Sequence, residues 1–163
     1  MEMETQWPVI KRTFGSAFRS SFHYAIASVG EAGEPHVTPI GSLLLLEPGM
    51  GIYFEQFARQ LPQHVQGGGK VCVLAVNSSI WFWLGSLIRG RFPAPPAMRL
   101  YGELGALREA TDAEFALWRR RVRKLRHTRG YRLMWQSMSR VREIRFTRME
   151  PVRIGEMTRG LWP

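Results

Sequence analysis

The stretch PHVTPIGSLLLLEPGMGIYFEQFARQ, residues 35–60, decides the fold. Pro35 to Glu47 reads as a long strand. Its first half alternates loosely, and Leu43 to Leu46 is an unbroken apolar run suited to burial on both faces. Glu47-Pro48-Gly49-Met50-Gly51 is a turn cluster, and Ile52 to Gln56 reads as the next strand. Two strands joined by so short a turn make a meander, the beginning of an antiparallel sheet or barrel.

Upstream, Phe22 to Val29 reads as a strand and Gly30 to Pro35 as a turn, after a short lead-in, Met1 to Phe18, with one helical turn following Pro8. Downstream, Phe57 to Val65 reads as a short helix broken at Pro62 and ended by Gly67-Gly68-Gly69. Lys70 to Val76 is β-branched and apolar, a buried strand holding the only cysteine, Cys72, as an inert thiol. Ser79 to Leu87 is the next strand expected, with Trp81 and Trp83 on one face and Phe82 on the other. Arg89 to Pro96 holds three prolines and reads as a loop. Met98 to Leu107 reads as a strand in which Gly102 marks a bulge or a close approach.

Thr111-Asp112-Ala113-Glu114 fits a capping box. The helix it opens carries Phe115, Trp118, Val122 and Leu125 on one stripe, opposite a basic face of Arg119, Arg120, Arg121, Arg123, Lys124 and Arg126. A second short helix is expected over Tyr131 to Ser139. A final alternating strand, Val141 to Phe146, continues past a kink at Pro151 into Val152 to Ile154. The sum is one mainly β domain over residues 1–163, with helical insertions.

Net charge is +10, from 23 Lys+Arg against 13 Asp+Glu. That balance favours anionic partners: a phosphorylated cofactor, nucleic acid or an acidic surface. No groove-reading motif surrounds the arginine-rich helix, so nucleic acid is disfavoured and a solvated face is the plainer reading. No apolar run reaches the length of a membrane span, the first residues do not read as a secretory signal, and one cysteine excludes an internal disulfide. The expectation is a cytoplasmic protein without a membrane partner. The chain contains no G-x-S-x-G, H-E-x-x-H or P-loop, and His23, His36, His64 and His127 are spaced unlike metal ligands.

The order of parts from His23 to Val76, with P-H-V-T-P-I-G, I-Y-F-E-Q, F-A-R-Q and K-V-C-V-L-A-V in succession, resembles the pyridoxamine 5′-phosphate oxidase superfamily of FMN-binding split β-barrels. The later M-R-L-Y-G-E-L-G-A-L-R-E-A-T-D extends the likeness, which covers roughly residues 20 to 157. The resemblance implies a homodimer with FMN in a cleft between protomers and an oxidoreductase acting on an unidentified small molecule. It implies cofactor contacts from Thr38, Pro39, Ile40, Gly41 and Ser42, from Phe54, Glu55 and Gln56, and from Arg59 and Gln60 on the following loop and helix. Arg59 would take the phosphate. Gln60 stands where the family usually has a lysine, so a second group is expected to help: Gln60 itself, an arginine of the later helix or a partner-chain residue. The haem and deazaflavin F420 carriers among related barrels leave a non-catalytic binding module as the alternative. The pyridoxal phosphate-recognising segment of the true oxidase has only a faint echo here, in Arg159 and Trp162.

Overall fold

The computed structural model describes residues 3–30, 32–55, 69–135 and 138–162. The expected helix over Phe57 to Val65 lies outside them. Helix α1 (Met3–Ser21) leads into strands β1 (Tyr24–Val29), β2 (Pro35–Ile40), β3 (Leu44–Leu45), β4 (Met50–Phe54) and β5 (Lys70–Val76). Helix α2 (Ile80–Arg89) precedes the long strand β6 (Ala97–Glu109). Helix α3 (Asp112–Arg121), a 3-10 turn (Arg123–Leu125), helix α4 (Arg129–Trp135), strand β7 (Arg140–Pro151) and a last 3-10 turn (Gly155–Thr158) complete the order. Among the described residues, the seven strands form one antiparallel sheet in the order β2-β1-β5-β6-β7-β4-β3. β2 and β3 stay at its two ends, so the sheet is curved around a core but not closed.

Alternation builds that core as expected of strands half-buried on one face. Val71, Val73 and Ala75 of β5 point inward with Met98, Leu100 and Leu104 of β6 and Val141, Ile144 and Phe146 of β7. Cys72 therefore faces the other way and is only half-buried, against the expectation of a buried thiol. Partial desolvation still raises its pKa and keeps it protonated.

Three expectations are corrected. The lead-in is no single turn: α1 runs for 19 residues through Pro8. Trp7, Ile10, Phe14, Ala17 and Phe18 recur at helical spacing and are buried, and the Trp7 indole donates to the Leu46 carbonyl at 3.1 Å. Proline in the second turn forfeits one hydrogen bond, and packing along the whole stripe outweighs it. Ser79 to Leu87 is not a strand but most of α2. Ser79 is its N-cap, accepting from the Phe82 amide, and Gly90 ends it at φ 67°. Pro35 to Glu47 is not continuous: β2 ends at Ile40, and Ser42 turns the chain by bonding β4. Its hydroxyl donates to the Phe54 carbonyl and accepts from the Phe54 amide, both at 3.1 Å.

The capping box at Thr111 forms as expected, with the Glu114 carboxylate accepting from the Thr111 amide at 2.8 Å. The same carboxylate takes both arms of Arg108, at 2.7 and 2.9 Å, and Arg108 reaches Glu143 at 2.7 Å. This ties the first turn of α3 to β6 and β7. The expected stripe is shorter than predicted: Trp118 and Val122 are buried, while α3 stops at Arg121 and Leu125 sits on the following turn. The Arg108 hydrogen bonds, ahead of the burial that opposes them, hold the Glu114 carboxyl below its ordinary range. A depressed carboxyl contributes stability that is complete above its unfolded pKa and is lost as pH falls through its folded one. Glu114→Gln is thus expected to lower stability by about 1 kcal/mol at neutral pH. The gap to the unmodified protein should close below the usual carboxylate range, which denaturation midpoints measured across acid pH will check.

Candidate functional site

β2 lies at the edge of the sheet, where Pro39 removes no ladder bond the sheet needs. Its end and the turn beyond it, Pro39, Ile40, Gly41 and Ser42, form one wall of a cavity of about 560 Å³. Phe54, at the end of β4, meets them across the Ser42 bridge. Phe22 and His23 enter from the α1–β1 junction. Leu125, Met134, Trp135 and Met138 close the far side. The volume suits a small-molecule cofactor, and the lining is mostly apolar with a few polar groups.

Five of the ten residues singled out in the sequence thus line one cavity: Pro39, Ile40, Gly41, Ser42 and Phe54. Thr38 sits one residue back on β2, half-buried and off the lining. Glu55 follows Phe54, but its carboxylate is 8% exposed and held by Arg142 at 3.2 and 3.3 Å. Gln56, Arg59 and Gln60 lie outside the described residues, as does His64. Arg159 and Trp162 take no part in the cavity: Trp162 is buried in the core and Arg159 pairs with Glu156.

Sequence reasoning missed the remaining walls. Phe22 is exposed at the mouth and held at φ 62°, a strained conformation for a bulky residue. The ring Nδ1 of His23 lies 2.8 Å from the Ser21 carbonyl, so it is the nitrogen that donates. In the neutral ring, this leaves the Nε2 lone pair free to accept or ligate. Trp135 packs edge-on against Trp118, with ring centroids 5.6 Å apart, and against Tyr131 at 5.8 Å.

A second recess of about 380 Å³ shares the Trp135 and Met138 walls and is also lined by Arg119, Arg126 and Arg132. Among the described residues, no carboxylate lines it. The basic face is therefore not uniform. Two of its arginines, Arg119 and Arg126, line this recess together with Arg132 of α4, whereas Arg121 turns inward to the Leu43 carbonyl and the Tyr24 hydroxyl and lies 4.0 Å over the Phe18 ring.

No family model matches the chain, and no curated protein does. Solved structures do. An FMN-binding protein from Syntrophomonas wolfei aligns at a TM-score of 0.55 and 14% identity, covering 92% of this chain and 90% of that one. An F420 reductase aligns at 0.52 and 12%, covering 84% and 95%. A Clostridium acetobutylicum protein related to general stress protein 26, of the pyridoxinephosphate oxidase family, aligns at 0.50 and 13%, covering 92% and 89%. The likeness is one of fold: this chain has the split-barrel fold of these proteins, as the resemblance over residues 20–157 implied.

Proposed function

We propose that this split barrel binds FMN in the cavity between β2 and α4, as one half of a two-fold dimer, and works as a flavin-dependent oxidoreductase. The carrying observation is the pairing of an apolar cavity along the Pro39–Ser42 edge with an arginine-lined recess sharing its Trp135 wall. FMN has the same two parts, a flat apolar ring system and a phosphate dianion. The outer edge of β2 offers backbone groups to the polar rim of a ring, and Gly41 adds no side chain there. Arginine forks suit the phosphate. The bound flavin supplies hydride or electron transfer, and the protein binds it, orients it and excludes water. Arg126 and Arg132 are then the candidates for the helper that Arg59 was expected to need.

The test is titration with FMN and with riboflavin, which lacks the phosphate, followed by flavin absorption and fluorescence. The unmodified protein is expected to prefer FMN. Arg59→Ala, or Arg126→Ala with Arg132→Ala, should weaken FMN about tenfold or more and leave riboflavin unchanged, because a hydrogen bond to a charged group carries roughly 1.5–3 kcal/mol. Protein that binds neither flavin overturns the reading. Sizing of the flavin-loaded protein tests the dimer.

A second reading has its own support. His23 faces the cavity with Nδ1 committed to a carbonyl, the arrangement that leaves Nε2 ready for an iron porphyrin. A Soret band on addition of haem, lost in His23→Ala, would favour this non-catalytic alternative over the flavin.

A further inference from the structure

Helix α2 is built inside out. Its inward side carries Phe82, Trp83 and Ser86. Phe82 and Trp83 pack on Phe92 at ring distances of 5.5 and 5.1 Å, and the Ser86 hydroxyl donates back to the Phe82 carbonyl. Its outward side is a continuous apolar stripe. Ile80, Trp81, Leu84, Leu87 and Ile88 are exposed by 73, 78, 45, 63 and 78%. At helical spacing these five fall within one third of the circumference. A stripe of this kind left in water marks an interaction site.

The charge around the stripe says which kind. Arg89 and Arg91 follow it, both exposed, and no Asp or Glu occurs between Asn77 and Gly102. At the other end, Arg19 of α1 borders the polar hollow that Ser20, Ser78 and Ile80 share. Glu156, one residue before the Met157 carbonyl that Phe92 binds, is already taken by Arg159 at 2.6 Å. A second copy seated across a two-fold axis would lay its α2 antiparallel and bring the Arg89 and Arg91 end of one helix toward the Arg19 end of the other, cation against cation, in a chain that already carries +10. An anionic lipid surface answers both features: it accepts tryptophan, leucine and isoleucine at the level of the headgroups and neutralises the flanking arginines.

We infer that α2 is an interfacial helix that seats the barrel on an anionic bilayer, lying flat with Trp81 and Ile88 inserted and Arg89 and Arg91 on the phosphates. Ten residues reach about 15 Å, half of a bilayer's hydrocarbon core, so the helix lies on the membrane and does not cross it. No helix of the described chain is long and apolar enough to span. The expectation of no membrane partner rested on the lack of a spanning run, which an interfacial helix does not need.

The experiment is co-sedimentation of the full chain with vesicles of phosphatidylcholine alone and of phosphatidylcholine mixed with phosphatidylglycerol, alongside light scattering without lipid. The unmodified protein is expected on the anionic vesicles and not on the neutral ones. Trp81→Ser with Ile88→Ser should weaken that binding by roughly tenfold or more, and Arg89→Glu with Arg91→Glu should remove the preference for phosphatidylglycerol. These four side chains are exposed, so circular dichroism should be unchanged. Absence from anionic vesicles, or binding that ignores Trp81→Ser with Ile88→Ser, overturns the proposal. A dimer that falls to monomer in that variant, without vesicle binding, gives the face to a second copy instead. Flavin binding is not involved in any of these readouts.

Discussion

Gly102→Ala is expected to lower stability by about 3 kcal/mol, a large loss for a single methyl group. Gly102 lies in the antiparallel pairing of β6 with β7, at a shift in their register, with Val71 of β5 on its other side. A Cβ built there meets the Arg145 carbonyl oxygen at 2.4 Å, its carbon at 3.0 Å and the Phe146 Cα at 3.1 Å. All three are backbone atoms, so no rotamer change relieves the clash and the strands must part. The disturbance would travel. The Phe146 amide bonds the Gly49 carbonyl at 2.7 Å, and a Cβ on Gly51 would meet the Phe146 ring at 2.8 Å. Moving Phe146 therefore moves β4, whose last residue, Phe54, walls the cavity. Gly105→Ala is the control. It lies within the second irregularity of the same strand pair, but its new methyl would meet the Glu143 Cβ at 3.2 Å and no backbone atom nearer than 3.7 Å, so a shift of a few tenths of an ångström admits it. Chemical denaturation of both variants checks this. Equal midpoints would mean that the pairing is loose at this point and that Gly102 is only tolerated there.

The sequence was legible where one rule acted alone. Two-residue alternation in β7, the turn residues at Gly33 and Gly49, both at positive φ, and the Thr111–Glu114 box each have a local cause and are legible in the sequence, whereas β5 reads as apolar throughout and its alternation shows only in the fold. Reading failed where two rules competed. Pro8 limits the expected helix to one turn because a proline breaks helices more often than a stripe overrides it. The run Ile80 to Leu84 is apolar at five successive positions, so it has no period, and aromatic content tipped it toward a strand. The decisive signals were the Ser79 cap and the Gly90 stop. The outward stripe removed the polar face by which an amphipathic helix is normally known. The arginine run hid a division of labour that only tertiary structure shows, with Arg121 in the packing and Arg119, Arg126 and Arg132 at the recess.

The candidate site divides in the same way. The wall contributed by consecutive residues, Pro39 to Ser42, was visible because one strand end carries it. Phe22, His23, Leu125, Met134, Trp135 and Met138 come from separate elements more than 100 residues apart in the extreme, and no local pattern joins them. What joins them is the core behind the cavity, and Trp118 is its centre.

Trp118→Ala is expected to lower stability by about 3–5 kcal/mol and to weaken any cavity ligand together with it. Trp118 is 2% exposed, and its ring stands 5.9 Å from Phe54 and 5.6 Å from Trp135. Those two residues belong to opposite walls of the cavity, so Trp118 is the strut between β4 and α4. Alanine would leave a void that α3 cannot fill, because its first turn is fixed to β6 and β7 through Glu114 and Arg108. Trp118→Phe separates the ring from its polar edge. The indole N–H is buried and finds no hydrogen-bond partner among the described residues, so removing it sacrifices no bond and relieves the desolvation of a donor. Phenylalanine should therefore recover most of the stability, with a remaining loss of about 1 kcal/mol from its smaller volume. Denaturation midpoints give the order of the three proteins, and FMN titration of the same samples reports the cavity. If alanine melts with the unmodified protein, the cavity walls do not lean on this residue. If phenylalanine is as damaging as alanine, the indole N–H has a partner in the folded chain.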